Sequence, residues 1–372
     1  YRSTPLGFWI GGILAGVLGL TVGFSPPASR WVRAVGLGLA TGVMVAVFAL
    51  PLVRGYFFYG AGDSMTHLGW ARELAAGTGS ALGFVYPGIH TMAVYLAELS
   101  GFALTDTLQF VPLVVFPVVS VVFTALCVQY LTDSEWGLPV GVAVGLLLVP
   151  INHISIHLLA HPSSQAVLFL PLVLYLVLRY VSGPEVDSPV RTPIGIALAV
   201  VCVAMVFIHS QEALSLLLLL GGVAVVQLAA GRWRPTSRIA RHRPIYAHAG
   251  VTFLVFATWL PQHDRPIGRI QFVLSQFQQV GVTAGAESTD TRAASLAAVG
   301  GSIEGLFVKL FGVALVVSVI AAAVMAAALL GRLADRPTGR RTLIAYLTAG
   351  LVPRGLAFVV GFAADQGDHF FR

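Results

Sequence analysis

The run QFVPLVVFPVVSVVFTALCVQYL, residues 109–131, decides the fold, because none of its side chains is charged. A bilayer core takes about 20 apolar residues as a helix, within a range of about 17 to 25. Comparable apolar runs recur from residue 8 to residue 364 with no intervening polar block long enough for a soluble domain. The chain is 57% hydrophobic and 10% charged, whereas soluble domains are roughly 25% charged. We therefore predict an all-α integral membrane protein in which residues 1–372 form a single polytopic domain.

Ten apolar runs are candidate membrane spans, and together they predict a bundle of about ten transmembrane helices. The candidate spans are residues 8–24, 31–53, 109–131, 137–152, 163–181, 193–208, 213–230, 248–260, 306–330 and 343–363.

The net charge of +6 comes from arginines in short loops between these runs, which is the pattern of a membrane protein rather than of a nucleic-acid binder. One alternating topology puts every arginine-rich loop on the same face, which the positive-inside rule makes cytoplasmic. These loops carry Arg30, Arg33, Arg179, Arg191, Arg232, Arg234, Arg238, Arg241, Arg243, Arg332, Arg336, Arg340 and Arg341. We therefore expect a multi-pass protein of the cell membrane.

The same topology places two long polar loops, residues 54–108 and 261–305, on the extracytoplasmic face. In the first loop, polar and apolar residues recur at helical spacing over 63–74 and again over 89–99. In the second loop, residues 267–280 carry an apolar stripe opposite three glutamines. These patterns predict amphipathic helices on the outer membrane surface, and the working face of the protein is therefore predicted to be extracytoplasmic.

A compact polar segment, GDSMTHLGWARE at residues 62–73, stands out in the first external loop. Asp63 and His67 lie one helical turn apart. A carboxylate at this position is suited to act as a general base, or to bind a divalent metal together with the imidazole. A second interpretation is that Asp63 caps the N-terminus of a surface helix. The two interpretations are compatible, and the sequence leaves both open.

Histidines mark two further positions on the predicted outer face. His157 and His161, preceded by His153, repeat every fourth residue and would share one face of a helix, either to bind a phosphate, sugar or metal or to lie at headgroup level. His209 and Glu212 belong to a four-residue polar break between two apolar runs. That break either contributes to a site or only satisfies the backbone of a turn.

Arg354 lies near the centre of the last predicted span, between Pro353 and Gly355. An ionisable residue at membrane depth usually faces a cavity or a partner, and a broken helix is tolerated where it lines such a cavity. An anionic phosphate is the natural ligand for this guanidinium. The chain has no Walker A sequence, no HExxH and no GxSxG, so an ATP-driven pump or a membrane protease of those types is not indicated.

Several of these segments resemble the C-type (GT-C) polytopic glycosyltransferases, particularly archaeal and bacterial members. The matching segments are 62–67 (GDSMTH), 72–74 (REL), Gly77, 86–90 (YPGIH), 161–166 (HPSSQA), 169–172 (FLPL) and 209–214 (HSQEAL). The resemblance implies transfer of a sugar from a polyprenyl-phosphate or pyrophosphate carrier in the membrane lipid to a protein, lipid or glycan acceptor on the extracytoplasmic face. It also implies that Asp63 takes the position of that family's catalytic acid.

Combined with the patterns above, the resemblance gives a candidate site with Asp63 as catalytic residue. The candidate substrate-binding residues are His67, Arg354, His157, His161, His209 and Glu212. Asp63 and His67 are the candidate ligands if a divalent metal such as Mg²⁺ or Mn²⁺ takes part, but the chain has no Asp-x-Asp pair. Two other functions remain open: a transporter or flippase for lipid-linked sugars, and a non-catalytic membrane scaffold.

Overall fold

The computed structural model describes residues 4–55, 57–58, 63–132, 134–151, 162–182, 191–233, 235–236 and 238–263. All regular elements among these residues are helical, as predicted, and no β-strand occurs in them. The chain divides into two compact units, Tyr1–Ala213 and Leu214–Arg372. Residues 306–330 and 343–363, predicted as the last two spans, lie outside the described part of the chain.

Ten helices begin within the first unit before residue 209: α1 Leu6–Gly23, α2 Arg30–Phe48, α3 Leu50–Val53, α4 Asp63–Ala75, α5 Pro87–Ser100, α6 Leu104–Phe110, α7 Phe116–Thr132, α8 Gly137–Ile151, α9 Pro162–Ser182 and α10 Arg191–Ile208. Helix α11, Ser210–Trp233, starts at the end of this unit and continues into the second. The second unit adds α12 Arg238–Arg241 and α13 Tyr246–Trp259.

Within the described part of the chain, four helical stretches are long and apolar enough to cross a membrane: Leu6–Gly23, Arg30–Phe48, Leu104–Thr132 and Glu212–Trp233. Shorter apolar helices cover Gly137–Leu146, Gln165–Val181 and Thr192–Ile208. Helices coincide with each predicted span that falls on described residues. These features are those of a membrane protein, while the count of ten spans remains a prediction.

Prolines divide two of the predicted spans into separate helical segments. The span predicted over 31–53 becomes α2 and α3, separated at Ala49, two residues before Pro51. Within the span predicted over 109–131, the end of α6 is followed by a π-helical segment, Val111–Val115, which contains Pro112. Helix α7 makes up the rest of this span. Proline lacks a backbone N–H and cannot donate the regular helical hydrogen bond, which accounts for a local change of helix geometry at both points.

Glycines allow the helices of the first unit to approach closely. Along α8, Gly137, Gly141 and Gly145 form a stripe at four-residue spacing that faces α7, and an added Cβ at Gly141 would meet the backbone of Ala125. In the α1–α2 hairpin, an added Cβ at Gly36 would meet backbone of α1. Small residues at such spacing are the usual packing surface between membrane helices.

A buried apolar cluster then joins α2, the π-helical segment, α7, α8 and α9. Its members are Leu37, Phe48, Val111, Phe116, Val121, Ala125, Val142 and Leu168.

Contacts at one end of the first unit join two loops that the predicted topology assigns to the same face. The guanidinium of Arg33, in the first turn of α2, donates a hydrogen bond of 2.8 Å to the backbone carbonyl of Glu135. It also lies 3.9 Å from the Glu135 carboxylate and over the ring of Trp136. The start of α2 and the α7–α8 loop therefore lie at the same end of the bundle, which agrees with the predicted alternation.

Candidate functional site

Helices α4 and α5 occupy the first predicted external loop and position its polar side chains. Helix α4 begins at Asp63, and the chain turns at Gly77 with φ +69°. Helix α5 has Pro87 in its first turn, and the residue that follows the helix is Gly101, with φ +72°. Proline in the first turn and a left-handed glycine after the last turn are favoured helix boundaries. Helices are thus present at both positions predicted from the amphipathic patterns, and their extracytoplasmic location remains a prediction.

A buried histidine pair forms where α4 packs against α5. The Nδ1 atom of His67 lies 3.0 Å from the Nε2 atom of His90. His67 is 5% exposed and His90 is fully buried, with 0% exposure. A hydrogen bond of this length between buried rings fixes both side chains, because breaking it would leave a polar atom without a partner inside the protein.

Aromatic rings enclose this histidine pair. The Trp70 ring meets the His67 ring edge-on, with 5.2 Å between centroids, and stacks on the Phe84 ring at 5.6 Å. The His90 ring lies 5.7 Å from each of the Trp70 and Phe84 rings. The pair therefore occupies an apolar pocket, and this surrounding disfavours a charge on the His90 imidazole.

Burial sets the charge of His90. It lowers the pKa of His90 to about 4, and the Tyr86 backbone raises it by a smaller amount. His90 is therefore neutral at pH 7. The Nδ1 atom of His90 has no hydrogen-bond partner among the described residues. In the pair one imidazole nitrogen donates and the other accepts, and the tautomers set which of the two donates.

The second predicted polar position lies next to the start of α5. The ring of His209 stacks on the Tyr86 ring, with 5.0 Å between centroids and 30° between planes. An added Cβ at Gly88 would lie 3.0 Å from Cγ1 of Ile208 and 3.1 Å from the Phe207 carbonyl oxygen. The α10–α11 junction therefore packs directly on the helix that carries His90. The first external loop and the junction, both assigned to the outer face, lie at the same end.

His209 and Glu212 occupy the predicted polar break, and both are largely buried, at 7% and 6% exposure. Backbone hydrogen bonds flank the break, since His209 N donates to Met205 O and Ala213 N donates to His209 O. Both interpretations of the break, as part of a site and as a turn that satisfies its own backbone, stay predictions.

The remaining predicted site residues lie outside the described structure. Asp63 is the first residue of α4, one turn before His67, but its side chain is not among those described. Its predicted roles as base or helix cap thus both remain predictions. His157, His161 and Arg354 lie outside the described residues, as does the amphipathic stretch 267–280.

Among the residues that the structure describes, metal binding was predicted through Asp63 and His67. Among the residues that the structure describes, no three His, Cys, Asp or Glu side chains are grouped to hold a metal ion. Mg²⁺ takes about six ligands, mostly oxygens, and Asp63 with His67 would supply one carboxylate and one imidazole. The described side chains therefore do not form a complete donor set for Mg²⁺ or Mn²⁺.

His90, Tyr86 and Trp70 belong to the site but were not among the predicted site residues. Tyr86 and His90 fall in a segment noted only for its resemblance to the glycosyltransferases. A usable signal for His90 was its place three residues after Pro87, which puts it in the first turn of α5. No periodicity in the sequence relates residue 67 to residue 90, so the pair emerges only when the two helices pack together.

Comparison of the chain with protein-family models, with curated proteins and with solved structures gave no match in any of the three.

Proposed function

We propose that this protein is a membrane glycosyltransferase that moves a sugar from a polyprenyl-phosphate or pyrophosphate carrier to an acceptor on the extracytoplasmic face. The observation that carries the proposal is the buried His67–His90 hydrogen bond, 3.0 Å long, one helical turn from Asp63. Residues 63 and 67 lie one turn apart on α4 and therefore share a face of this helix.

The burial of polar groups in so apolar a chain supports a functional role for the site. Only 10% of the residues are charged, yet His67, His90, His209 and Glu212 are all buried around the contact of α4, α5 and the α10–α11 junction. Burying a polar group without full compensation costs about 1–3 kcal/mol. A structural contact alone would be made more cheaply by apolar residues, so this arrangement favours function.

In the proposed reaction, Asp63 acts as the general base toward a hydroxyl or amide of the acceptor. The acceptor atom gives its proton to the carboxylate and attacks the anomeric carbon of the sugar. The bond between that carbon and the phosphate oxygen breaks, and the carrier leaves as polyprenyl phosphate or pyrophosphate. His67 assists by orienting the acceptor, while His90 fixes the His67 ring. No step in this scheme requires a metal.

Tyr86, His209 and Glu212 are suited to hold the sugar. The phenol of Tyr86 stacked on the imidazole of His209, and the buried carboxylate of Glu212, offer hydrogen-bond donors and acceptors that match sugar hydroxyls. Arg354 stays the predicted ligand of the carrier phosphate, because a guanidinium binds phosphate well.

The outer surface of α5 is suited to the membrane boundary, where such a carrier would lie. Tyr95 and Leu99 on α5 and Phe102 just after it are exposed, at 65%, 84% and 70%. Exposed apolar side chains on a helix whose opposite face is buried are typical of helices that rest on a bilayer surface. The proposed site would then be open to both the lipid carrier and the aqueous acceptor.

Reconstituted vesicles distinguish the proposed transferase from a lipid-linked-sugar transporter. Purified protein is inserted into liposomes containing a radiolabelled polyprenyl-phosphate sugar, and a soluble acceptor is added. The proposal predicts label on the acceptor and free polyprenyl phosphate in the lipid. Movement of the intact labelled carrier between leaflets without cleavage would identify a transporter instead. Neither transfer nor movement, with a protein that still unfolds cooperatively, would support a scaffold.

A further inference from the structure

A cavity of about 500 Å³ opens within the second unit, beside the last turns of α11. Its wall includes Arg232 and Gly231 from α11, Ile239 from α12, His242 from the loop after it, and Tyr246 at the start of α13. This cavity involves none of the residues assigned to sugar transfer. It is large enough for a phosphate-bearing headgroup, since small-molecule sites occupy about 300–1,000 Å³.

Gln227 holds the wall of this cavity in place. Its side-chain nitrogen donates to the backbone carbonyl of Arg243 at 3.0 Å, and its side-chain oxygen accepts from the backbone N–H of Ile245 at 3.0 Å. Gln227 is 4% exposed and Ile245 is fully buried. The loop that closes the cavity is therefore tied to α11 by two hydrogen bonds, so the opening is a preformed part of the fold rather than a gap between unconnected segments.

The charge around the cavity selects an anion. Arg232, in the last turn of α11, lines it, and His242 lies across from the helix. The sequence adds Arg234, Arg238, Arg241 and Arg243 to the same short segment, and residues 232–243 contain no Asp or Glu. Guanidinium groups bind phosphate oxygens in a bidentate manner, so phosphate is the anion that this group recognises best.

Apolar side chains next to the cavity indicate that the anion carries hydrocarbon. Leu228 lines the cavity and is 59% exposed, and Trp233 is 78% exposed at the end of a helix long enough to cross a bilayer. Tyr246 is also exposed on the cavity rim. Tryptophan and tyrosine are enriched where membrane helices leave the hydrocarbon region, and this is the depth of lipid phosphates.

We propose that this cavity binds the phosphate headgroup of an anionic membrane phospholipid, with Arg232 on the phosphate and an acyl chain along Leu228. The arginine-rich loop is among those that the positive-inside rule assigns to the cytoplasmic face, where anionic lipids attract basic segments. The bound lipid anchors the α11–α13 segment at that face and takes no part in the transfer reaction.

Lipid binding by the purified full chain in detergent tests this proposal. Phosphatidylglycerol is titrated against the wild type and Arg232→Gln, with binding measured by native mass spectrometry. We expect saturable binding that weakens about tenfold or more in Arg232→Gln. Arg30→Gln, at an exposed arginine of α2, removes the same charge elsewhere and serves as the matched control. Equal loss in both variants would show diffuse charge attraction and overturn the proposal.

A second variant distinguishes the effect of cavity volume from the effect of charge. A second probe distinguishes binding of a lipid from binding of a free anion. An added Cβ at Gly231 meets nothing within 4 Å, so Gly231→Leu fills the cavity mouth without a backbone clash. This variant retains every arginine and should also weaken phosphatidylglycerol binding. Unchanged binding in Gly231→Leu, or inorganic phosphate binding as tight as phosphatidylglycerol, would contradict a lipid site in this cavity. Thermal unfolding confirms that each variant is folded.

Discussion

Replacing His90 with phenylalanine tests the histidine pair that defines the proposed site. His90→Phe keeps an aromatic ring against Trp70 and Phe84, which lie 5.7 Å from it, and leaves no large cavity. It removes the hydrogen-bond partner of the Nδ1 atom of His67, now 3.0 Å away. Losing this buried hydrogen bond costs about 1–3 kcal/mol. At pH 7 we therefore expect the variant to be less stable than the wild type by this amount.

The pH dependence of the free energy of unfolding tests the buried histidine more sharply than the stability at pH 7 does. Because the pKa of His90 is lowered from 6.5 to about 4, the unfolded chain binds this proton between those values and the folded protein does not. Stability contributed by neutral His90 is therefore present above pH 6.5 and is lost as the pH falls toward 4. Between pH 7 and pH 4.5 the wild type should lose about 2 kcal/mol that His90→Phe does not lose.

The measurement is the free energy of unfolding of both proteins in detergent micelles at pH 7, 5.5 and 4.5. Titrating groups that do not contact residue 90 are common to the two proteins, so their contributions cancel in the difference. The difference between wild type and His90→Phe should shrink by about 2 kcal/mol over this range. A difference that stays constant with pH would refute the assignment of His90 as a buried neutral histidine.

Three further predictions follow from the packing and the ion pair. Gly88→Val should push α5 from the α10–α11 junction and destabilise the protein by about 1–3 kcal/mol. It should also slow sugar transfer. Normal transfer in the folded variant would contradict the proposed link between this packing contact and the transfer reaction. In the α1–α2 hairpin, Gly36→Val should destabilise the protein by about 1–3 kcal/mol. The same change at Gly38, where an added Cβ meets nothing within 4 Å, should have little effect. Equal thermal unfolding midpoints for the two variants would refute the close approach of α1 and α2 at Gly36. Arg33→Ala should lower stability by about 1–2 kcal/mol, because it removes a charge-assisted hydrogen bond to the Glu135 carbonyl, and an unchanged thermal midpoint would show that this contact contributes nothing.

The helical architecture was predictable because apolar runs and their length are local properties of the sequence. The segment 109–131 is helical as predicted, since a run without charge has few alternatives to a buried or membrane-embedded helix. The interruption at Ala49 and the π-helical segment around Pro112 were not predicted. Both follow from the missing N–H of proline, but whether a given proline breaks, widens or is absorbed by a helix depends on neighbouring helices. Pro171, for example, lies inside the continuous helix α9.

The site was predictable only in part, because its partners come from distant parts of the chain. His67, His209 and Glu212 were identifiable as polar residues in apolar surroundings. The partner of His67 is His90, 23 residues later, and the partner of His209 is Tyr86, more than a hundred residues earlier. These contacts depend on how α5 packs against both α4 and α10. Such packing is a tertiary property, and it cannot be predicted from hydropathy and residue spacing.

The central claim is that Asp63, held one turn from the buried His67–His90 pair, performs the proton transfer of a glycosyltransferase. The most direct measurement is the rate of sugar transfer from a radiolabelled polyprenyl-phosphate sugar by purified wild type, Asp63→Asn and Asp106→Asn. Asp106 is an exposed acid in the first turn of α6, within the same predicted loop, and provides the matched control. We predict a loss of about 10²–10⁴-fold for Asp63→Asn and wild-type rates for Asp106→Asn. Equal rates for Asp63→Asn and the wild type would contradict the account.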